Sequence, residues 1–312
     1  MSDQPYLLRL TATLGESARH LPADFCRRQA EYFRRCQNED GGFAGRDGLS
    51  DLYYTAFALR GLAILGELDS ETALRATAYL GIRRTGTAQV VDFFSFLYAA
   101  VLVQSACSVD LLADAPTDWP RRVADVLESF RAPDGGYAKT PGGALGSTYQ
   151  TFLVALCYEM LGQELPRAEE VVRFVRSRMR SDGGFVDIAP MSRSGTNPTA
   201  AGIALLQMMD ALDGATKEAA AKMLLARQAN EGGLTANGRI PMADLLSTFT
   251  GAWTLYTCGA LRRLDVPAAR RYVESLSDAK GGFRGGHWDL GVDVEYTFYG
   301  IGALALFSWA ES

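Results

Sequence analysis

The chain has 312 residues, 48% of them hydrophobic and 21% charged, so it has the material for a large buried core and not the composition of a disordered polymer. Its 31 Lys and Arg against 36 Asp and Glu give a formal charge of -5, which argues against a nucleic-acid partner. Five cysteines, none in a C-x-x-C pair, and only two histidines leave no basis for a disulfide framework, a Cys-rich zinc site or a mechanism needing several imidazoles.

From the N-terminus, residues 1–21 read as an extension that packs as an extra helix, without the basic and apolar regions of an export signal. With reduced cysteines, this fits a cytoplasmic protein. A charged amphipathic helix from Pro22 to Cys36 leads into the turn Asp40-Gly41-Gly42-Phe43, and an apolar helix starts at Asp51. The double-glycine turn recurs at Asp134-Gly135-Gly136-Tyr137, Asp182-Gly183-Gly184-Phe185, Glu231-Gly232-Gly233-Leu234 and Lys280-Gly281-Gly282-Phe283. Each is followed by a threonine in or beside an apolar run: Thr55, Thr151, Thr199, Thr248 and Thr297, at 14, 16, 16, 16 and 16 residues from the first glycine. Ser95 supplies the hydroxyl of a second unit that has lost its Gly-Gly turn, and Ser108 to Pro120 reads as its long loop. The longest apolar run, Phe93 to Val103, falls short of the roughly 18 residues of a membrane span.

Six units of roughly 48 residues follow from this spacing. Each has one helix that is apolar all round, hence buried on every face, and one amphipathic helix with a solvent stripe. Alternation of the two predicts concentric rings: an all-α, closed α/α toroid of six helical hairpins, with residues 1–312 as a single domain. Gly-Gly is expected to supply the left-handed backbone that ends a helix and reverses the chain.

Gln37-Asn38-Glu39-Asp40-Gly41-Gly42-Phe43 before Asp51-Leu52-Tyr53-Tyr54-Thr55, repeated in weakened form from about Gln29 to Trp309, resembles the β subunits of protein prenyltransferases. It is most similar to the Rab geranylgeranyltransferase type, and squalene and terpene cyclases carry related repeats. The resemblance implies an isoprenoid or prenyl diphosphate ligand and a partner subunit at the toroid mouth. It also implies a catalytic zinc, whose three ligand positions fall here on Asp244, Leu246 and Tyr296. Leucine has no donor and neutral tyrosine is a poor ligand, so that zinc triad does not carry over. The diphosphate site of the family has Gly195 in place of a histidine and Pro241 in place of a lysine, while Arg239 matches its arginine.

The six apolar segments hold 17 of the 32 aromatic residues. Tyr53, Phe57, Phe93, Phe96, Tyr149, Phe152, Trp253, Tyr256, Tyr296 and Tyr299 are the candidate wall of an isoprenoid cavity, where π faces stabilise a carbocation. Lys139, Arg193 and Arg239, in loops bordering the less acidic third and fourth units, are the candidate diphosphate contacts. Arg60, the one basic residue in mid inner helix, needs either a carboxylate such as Glu159 or a substrate group. Asp51 and Asp92 read as helix N-caps.

Asp293-Val294-Glu295-Tyr296-Thr297 is similar in frame to the D-x-D-D-T motif of class II terpene cyclases, with Glu295 in place of the acid that protonates an alkene and Tyr296 replacing the final aspartate. Asp244, Asp293 and Glu295 are therefore the candidate catalytic residues. A different reading of the same carboxylates, with His287 and Asp289, is a metal site for zinc or a harder divalent ion such as magnesium. No cofactor is dictated. The function expected first is prenyl transfer without the usual zinc triad; the alternatives are a cyclase with Glu295 as general acid, and a non-catalytic lipid-binding or protein-interaction toroid.

Overall fold

The computed structural model describes residues 4–83 and 89–312, and chain contacts divide it into two units, Met1–Pro116 with Arg270–Ser312, and Thr117–Ala269. Thirteen α-helices occur among the described residues. The first unit holds α1 (Tyr6–Ala18), α2 (Ala23–Arg35), α3 (Leu52–Leu65), α4 (Ser70–Arg83) and α5 (Val90–Cys107). The second holds α6 (Trp119–Glu128), α7 (Thr148–Met160), α8 (Ala168–Ser177), α9 (Thr196–Met208), α10 (Gly214–Leu225) and α11 (Leu245–Thr257). Helix α12 (Val266–Ser275) crosses the division, and α13 (Val294–Glu311) completes the first unit behind a short antiparallel pair, β1 (Phe283–Arg284) with β2 (Val292–Asp293). The odd-numbered helices from α3 to α13 are the apolar ones read from the sequence. In the first unit α3 packs between α5 and α13; in the second, α9 packs between α7 and α11.

The spacing of the repeat has a direct physical cause. Thr55, Thr151, Thr199, Thr248 and Thr297 are all fully buried, and each accepts a hydrogen bond from the backbone N–H just after a Gly-Gly pair. The donors are Phe43, Tyr137, Phe185, Leu234 and Phe283, at 2.9–3.0 Å. Four of these hydroxyls also donate to the carbonyl one turn back in their own helix, at 2.6–2.7 Å. A single side chain thus bolts each turn to its inner helix and satisfies a buried N–H that the turn leaves without a backbone acceptor. The second unit has Ser95 at the matching place, also buried; part of the segment before it, residues 84–88, lies outside the described residues.

Gly-Gly does not cap the outer helices as expected. Helix α2 ends at Arg35, well before Gly41. The pair instead makes a close approach to the outer helix of the next hairpin. Gly232 has φ +104°, and a Cβ there would lie 2.2 Å from the Ala268 carbonyl oxygen; Gly281, φ +92°, would meet Arg28 O at 2.6 Å. The second case joins the last hairpin to the first. Around it Gly282 N–H donates to Gln29 at 2.8 Å, Arg35 donates to Lys280 O at 2.6 Å, and Phe25 meets Phe283 edge-on.

Several boundaries differ from expectation. Asp51 caps α3 through the Tyr53 N–H (2.8 Å), but α5 starts at Val90 after an uncapped Gln89, so Asp92 sits inside the first turn. Helix α5 is 18 residues long and by length and composition would pass for a membrane span, contrary to the shorter run read from the sequence. It packs on α3 and α4 and is a core helix here. The five cysteines are free thiols, and burial pushes Cys157 well above the ordinary thiol range, as suits a core filler. The N-terminal extension forms α1, which lies on α3 and α13, and Thr11 Oγ1 and the Leu7 carbonyl both bond the Tyr98 hydroxyl of α5.

Replacing Thr151 by the isosteric valine should cost about 1–3 kcal/mol, because the buried Tyr137 N–H loses its acceptor. Urea unfolding of Thr151→Val beside the exposed control Thr140→Val measures this; equal midpoints for the two variants would refute the bolt.

Candidate active site

The carboxylates of the last hairpin gather at the start of α13. Asp293 has extended backbone, is 5% exposed, and caps the helix by accepting the Glu295 N–H at 2.8 Å. Arg46, from the loop after the first Gly-Gly turn, reaches across to this end. It grips Asp289 with two nitrogens at 3.0 and 2.5 Å and approaches Asp293 at 3.5 Å, while the Val294 N–H donates to Gly45 O. Burial works to raise Asp289, but Arg46 and the N–H groups of Gly285 and Gly291 outweigh it and hold its carboxyl below the usual range. Asp293 goes the other way: burial raises it despite backbone donors and Arg46.

Glu295, in the first turn of the helix, is half-buried. Its Oε1 accepts the hydroxyls of Tyr53 (2.7 Å) from α3 and Tyr299 (2.8 Å) from its own helix. Oε2 has no hydrogen-bond partner among the described residues. Burial pushes the Glu295 carboxyl above the ordinary glutamate range; the two tyrosines pull downward, and the nearby Asp293 charge adds to the rise. One oxygen is thus pinned and the other is free to carry a proton.

An aromatic wall continues from this carboxyl. Tyr53 meets Phe57 at 4.8 Å between ring centroids, and Phe57 meets Phe298 and Tyr299 at 5.2 and 5.4 Å, all edge-on. Tyr296 is half-buried, edge-on to Tyr299. Arg60 follows on the same stripe of α3. Its guanidinium lies over Phe298 at 4.3 Å and near Tyr98 and Phe57 at 5.1 and 5.2 Å. The expected pairing with Glu159 is not made, nor any hydrogen bond or ion pair with another described residue. On α5, Phe93 is half-buried and Phe96 buried.

The other candidates belong to the second unit. Trp253 and Tyr256 stack at 5.4 Å on α11, Phe152 is half-buried and Tyr149 is 46% exposed. Asp244 is engaged as the N-cap of α11, accepting the Ser247 N–H at 2.6 Å and hydroxyl at 2.8 Å, with burial raising its carboxyl. Lys139, Arg193 and Arg239 are exposed, and their side chains pair with no described residue. An isolated antiparallel bridge, Gly195↔Asn237, joins the loops that carry Arg193 and Arg239.

The metal alternative does not assemble. His287 bonds Ser275 Oγ at 2.8 Å, Asp289 is held by Arg46, and no three His, Cys, Asp or Glu among the described residues are placed to hold an ion. The zinc positions implied by resemblance offer only Asp244, itself engaged as a cap, with Leu246 and Tyr296, and do not fit. Sequence reasoning missed Phe298, Tyr98 and Arg46. Phe298 and Tyr98 stand beside the candidate wall positions of their helices, and the signal for Arg46 is that it is a cation in a loop after a Gly-Gly turn, like Lys139, Arg193 and Arg239.

A model of the prenyltransferase alpha-alpha toroid domain matches residues 11–82 and 96–311. No curated protein sequence matches. Among solved structures, protein geranylgeranyltransferase-I of Candida albicans, complexed with GGPP, is 14% identical over 90% of each chain with a TM-score of 0.69. A type II terpene cyclase from Scytonema, MstE, in complex with geranylgeranyl dihydroxybenzoate, is 15% identical over 97% of this chain and 99% of its own, TM-score 0.59. An α-1,6-mannanase from Salegentibacter is 14% identical over 92% and 99%, TM-score 0.61. The last acts on a sugar polymer, so likeness of fold leaves the chemistry to the side chains.

A carboxyl raised in the folded state holds its proton more tightly than in the unfolded chain, so its contribution to stability is present at low pH and is lost as pH rises through the raised value. Wild type should therefore lose stability relative to Glu295→Gln as pH rises from about 4, and urea midpoints of the two across that range test it. In Tyr53→Phe or Tyr299→Phe the Glu295 carboxyl should titrate higher still, by carbon-13 NMR; an unchanged or lower value would show that the hydroxyls do not act on it.

Proposed function

The chain belongs to the prenyltransferase alpha-alpha toroid family, and from that membership we propose that it is an isoprenoid-handling enzyme in which Glu295 delivers a proton to a carbon–carbon double bond, as in type II terpene cyclisation. The observation that carries this reading is the division of labour at Glu295, with Oε1 receiving two tyrosine hydroxyls and Oε2 left without a partner among the described residues.

Protonating an alkene needs an acid that keeps its proton at rest and releases it into a prepared environment. Burial supplies the first condition. The hydroxyls of Tyr53 and Tyr299 supply the second, since they are already aimed at the oxygen on which charge develops. The Oε2–H bond breaks, the proton adds to one alkene carbon and a tertiary cation forms at the other. A second double bond attacks that cation to close a ring, and the resulting cation loses a proton to water. Substrate and product are isomers, and solvent restores the proton on Glu295. The rings of Tyr53 and Tyr299, next to the acid, are placed to favour the first cation. A geranylgeranyl compound as substrate is supported by the geranylgeranyltransferase and the cyclase of similar fold, each complexed with one.

With a geranylgeranyl substrate, Glu295→Gln should lower turnover by about 100-fold or more while substrate still binds, and Tyr53→Phe should slow turnover less. Product analysis by gas chromatography with a parallel binding titration checks this; a Gln variant that cyclises at the wild-type rate removes Glu295 from the chemistry.

The exposed cations Arg193 and Arg239, on loops joined by the Gly195↔Asn237 bridge, favour a second reading, prenyl diphosphate binding and transfer. Two cations without side-chain partners on joined loops raise the local positive potential and favour an anion there. Arg193→Ala with Arg239→Ala should then weaken geranylgeranyl diphosphate binding and reduce its salt dependence, by titration at two ionic strengths; unchanged affinity rejects this reading.

A further inference from the structure

Arg60 is the one basic residue on any of the six apolar helices, α3, α5, α7, α9, α11 and α13. It is 6% exposed, its Nε is enclosed without an acceptor, and its guanidinium has no hydrogen-bond or ion-pair partner among the described residues. Three aromatic rings, Phe298, Tyr98 and Phe57, surround it. Cation–π contact offsets part of the cost of burying this charge, but rings accept no N–H hydrogen bonds in the guanidinium plane. The fork is therefore held in shape by its cage and left with its donors unused.

Tyr53, Phe57 and Arg60 stand at i, i+4 and i+7 on one stripe of α3. Tyr53 binds Glu295, so the guanidinium lies roughly 10 Å along the helix from the acid, at 1.5 Å per residue. We propose that Arg60 receives the carboxylate of an isoprenoid acid whose far double bond is presented to Glu295. The inference rests on the reading of Glu295 as proton donor to an isoprenoid.

Charge balance selects a carboxylate over a diphosphate. One guanidinium neutralises one carboxylate in a planar, two-point contact, whereas the further charges of a diphosphate would stay uncompensated among three rings that themselves carry no cation. The same arrangement constrains the chemistry. Faces of Phe298 and Phe57 are occupied by Arg60, and a fixed positive charge repels a carbocation, so ring closure proceeds near Glu295 and stops short of the cage.

The test is a binding titration of the wild-type protein with geranylgeranoic acid, its methyl ester, geranylgeraniol and geranylgeranyl diphosphate, repeated with Arg60→Met and Arg60→Lys. The acid should bind about 10-fold or more tighter than the ester. Arg60→Met should abolish that preference without weakening the ester, and Arg60→Lys should keep only part of it. Removing an unpaired buried charge should not lower the melting temperature, which serves as the folding control. Equal binding of acid and ester by wild type, or a preference that survives Arg60→Met, overturns the assignment, and diphosphate binding tighter than acid overturns the choice of carboxylate. If none of the four compounds binds, the isoprenoid reading itself fails and this inference with it; if ester and alcohol bind as well as acid, only the role of Arg60 fails.

Discussion

Five hairpins of this protein share one recurring hydrogen bond, from the N–H after a double glycine to a buried threonine hydroxyl one turn into the following apolar helix. The bond fixes where the loop ends relative to where the helix begins. Residues of the loop, such as Arg46, and residues of the first helical turns, such as Tyr53 and Glu295, therefore acquire defined positions at the same end of their hairpins. Packing of apolar helices alone would permit sliding along their axes. A buried donor that must find its acceptor does not.

Two carboxylates show how local charge decides what a buried acid can do. Glu128, in the second unit, accepts two tyrosine hydroxyls on Oε1, from Tyr137 at 2.5 Å and Tyr158 at 3.2 Å, just as Glu295 does. Its Oε2, however, is bound by Arg131 at 2.9 Å and Arg167 at 3.3 Å. Burial raises Glu128, but these partners outweigh burial and hold it below the ordinary glutamate range, as a fixed anion. Glu295 has no such cation on its second oxygen among the described residues, and Arg46 pairs instead with Asp289 and Asp293. Two tyrosine hydroxyls thus accompany a carboxyl held low in one place and one pushed up in the other.

Much of this was legible in the amino-acid order. The spacing of Gly-Gly to threonine gave the six hairpins, and the apolar segments from 51–66 to 293–308 match α3, α5, α7, α9, α11 and α13 closely. Helical period reports which residues are buried and is silent on which helix they face. Tyr53 and Glu295 are 242 positions apart, Arg46 and Asp289 are 243 apart, and neither pair shares a motif. Arg60 shows the same limit in reverse. The charge was flagged by its place in an apolar helix, and the natural guess of a carboxylate partner was replaced by three rings. Asp244 was legible as an acid at a helix start, where capping is the ordinary role, and it does cap α11 through the Ser247 N–H.

The contact of Gly281 with Arg28 has the same form as that of Gly232 with Ala268, although the first joins the two extremes of the chain and the second joins neighbours in it. The interfaces do not record which hairpin was synthesised first. A contact that asks only for a glycine without a Cβ and a backbone carbonyl to face it can form between repeats adjacent in the chain or far apart in it, which frees the side chains beside it to diverge.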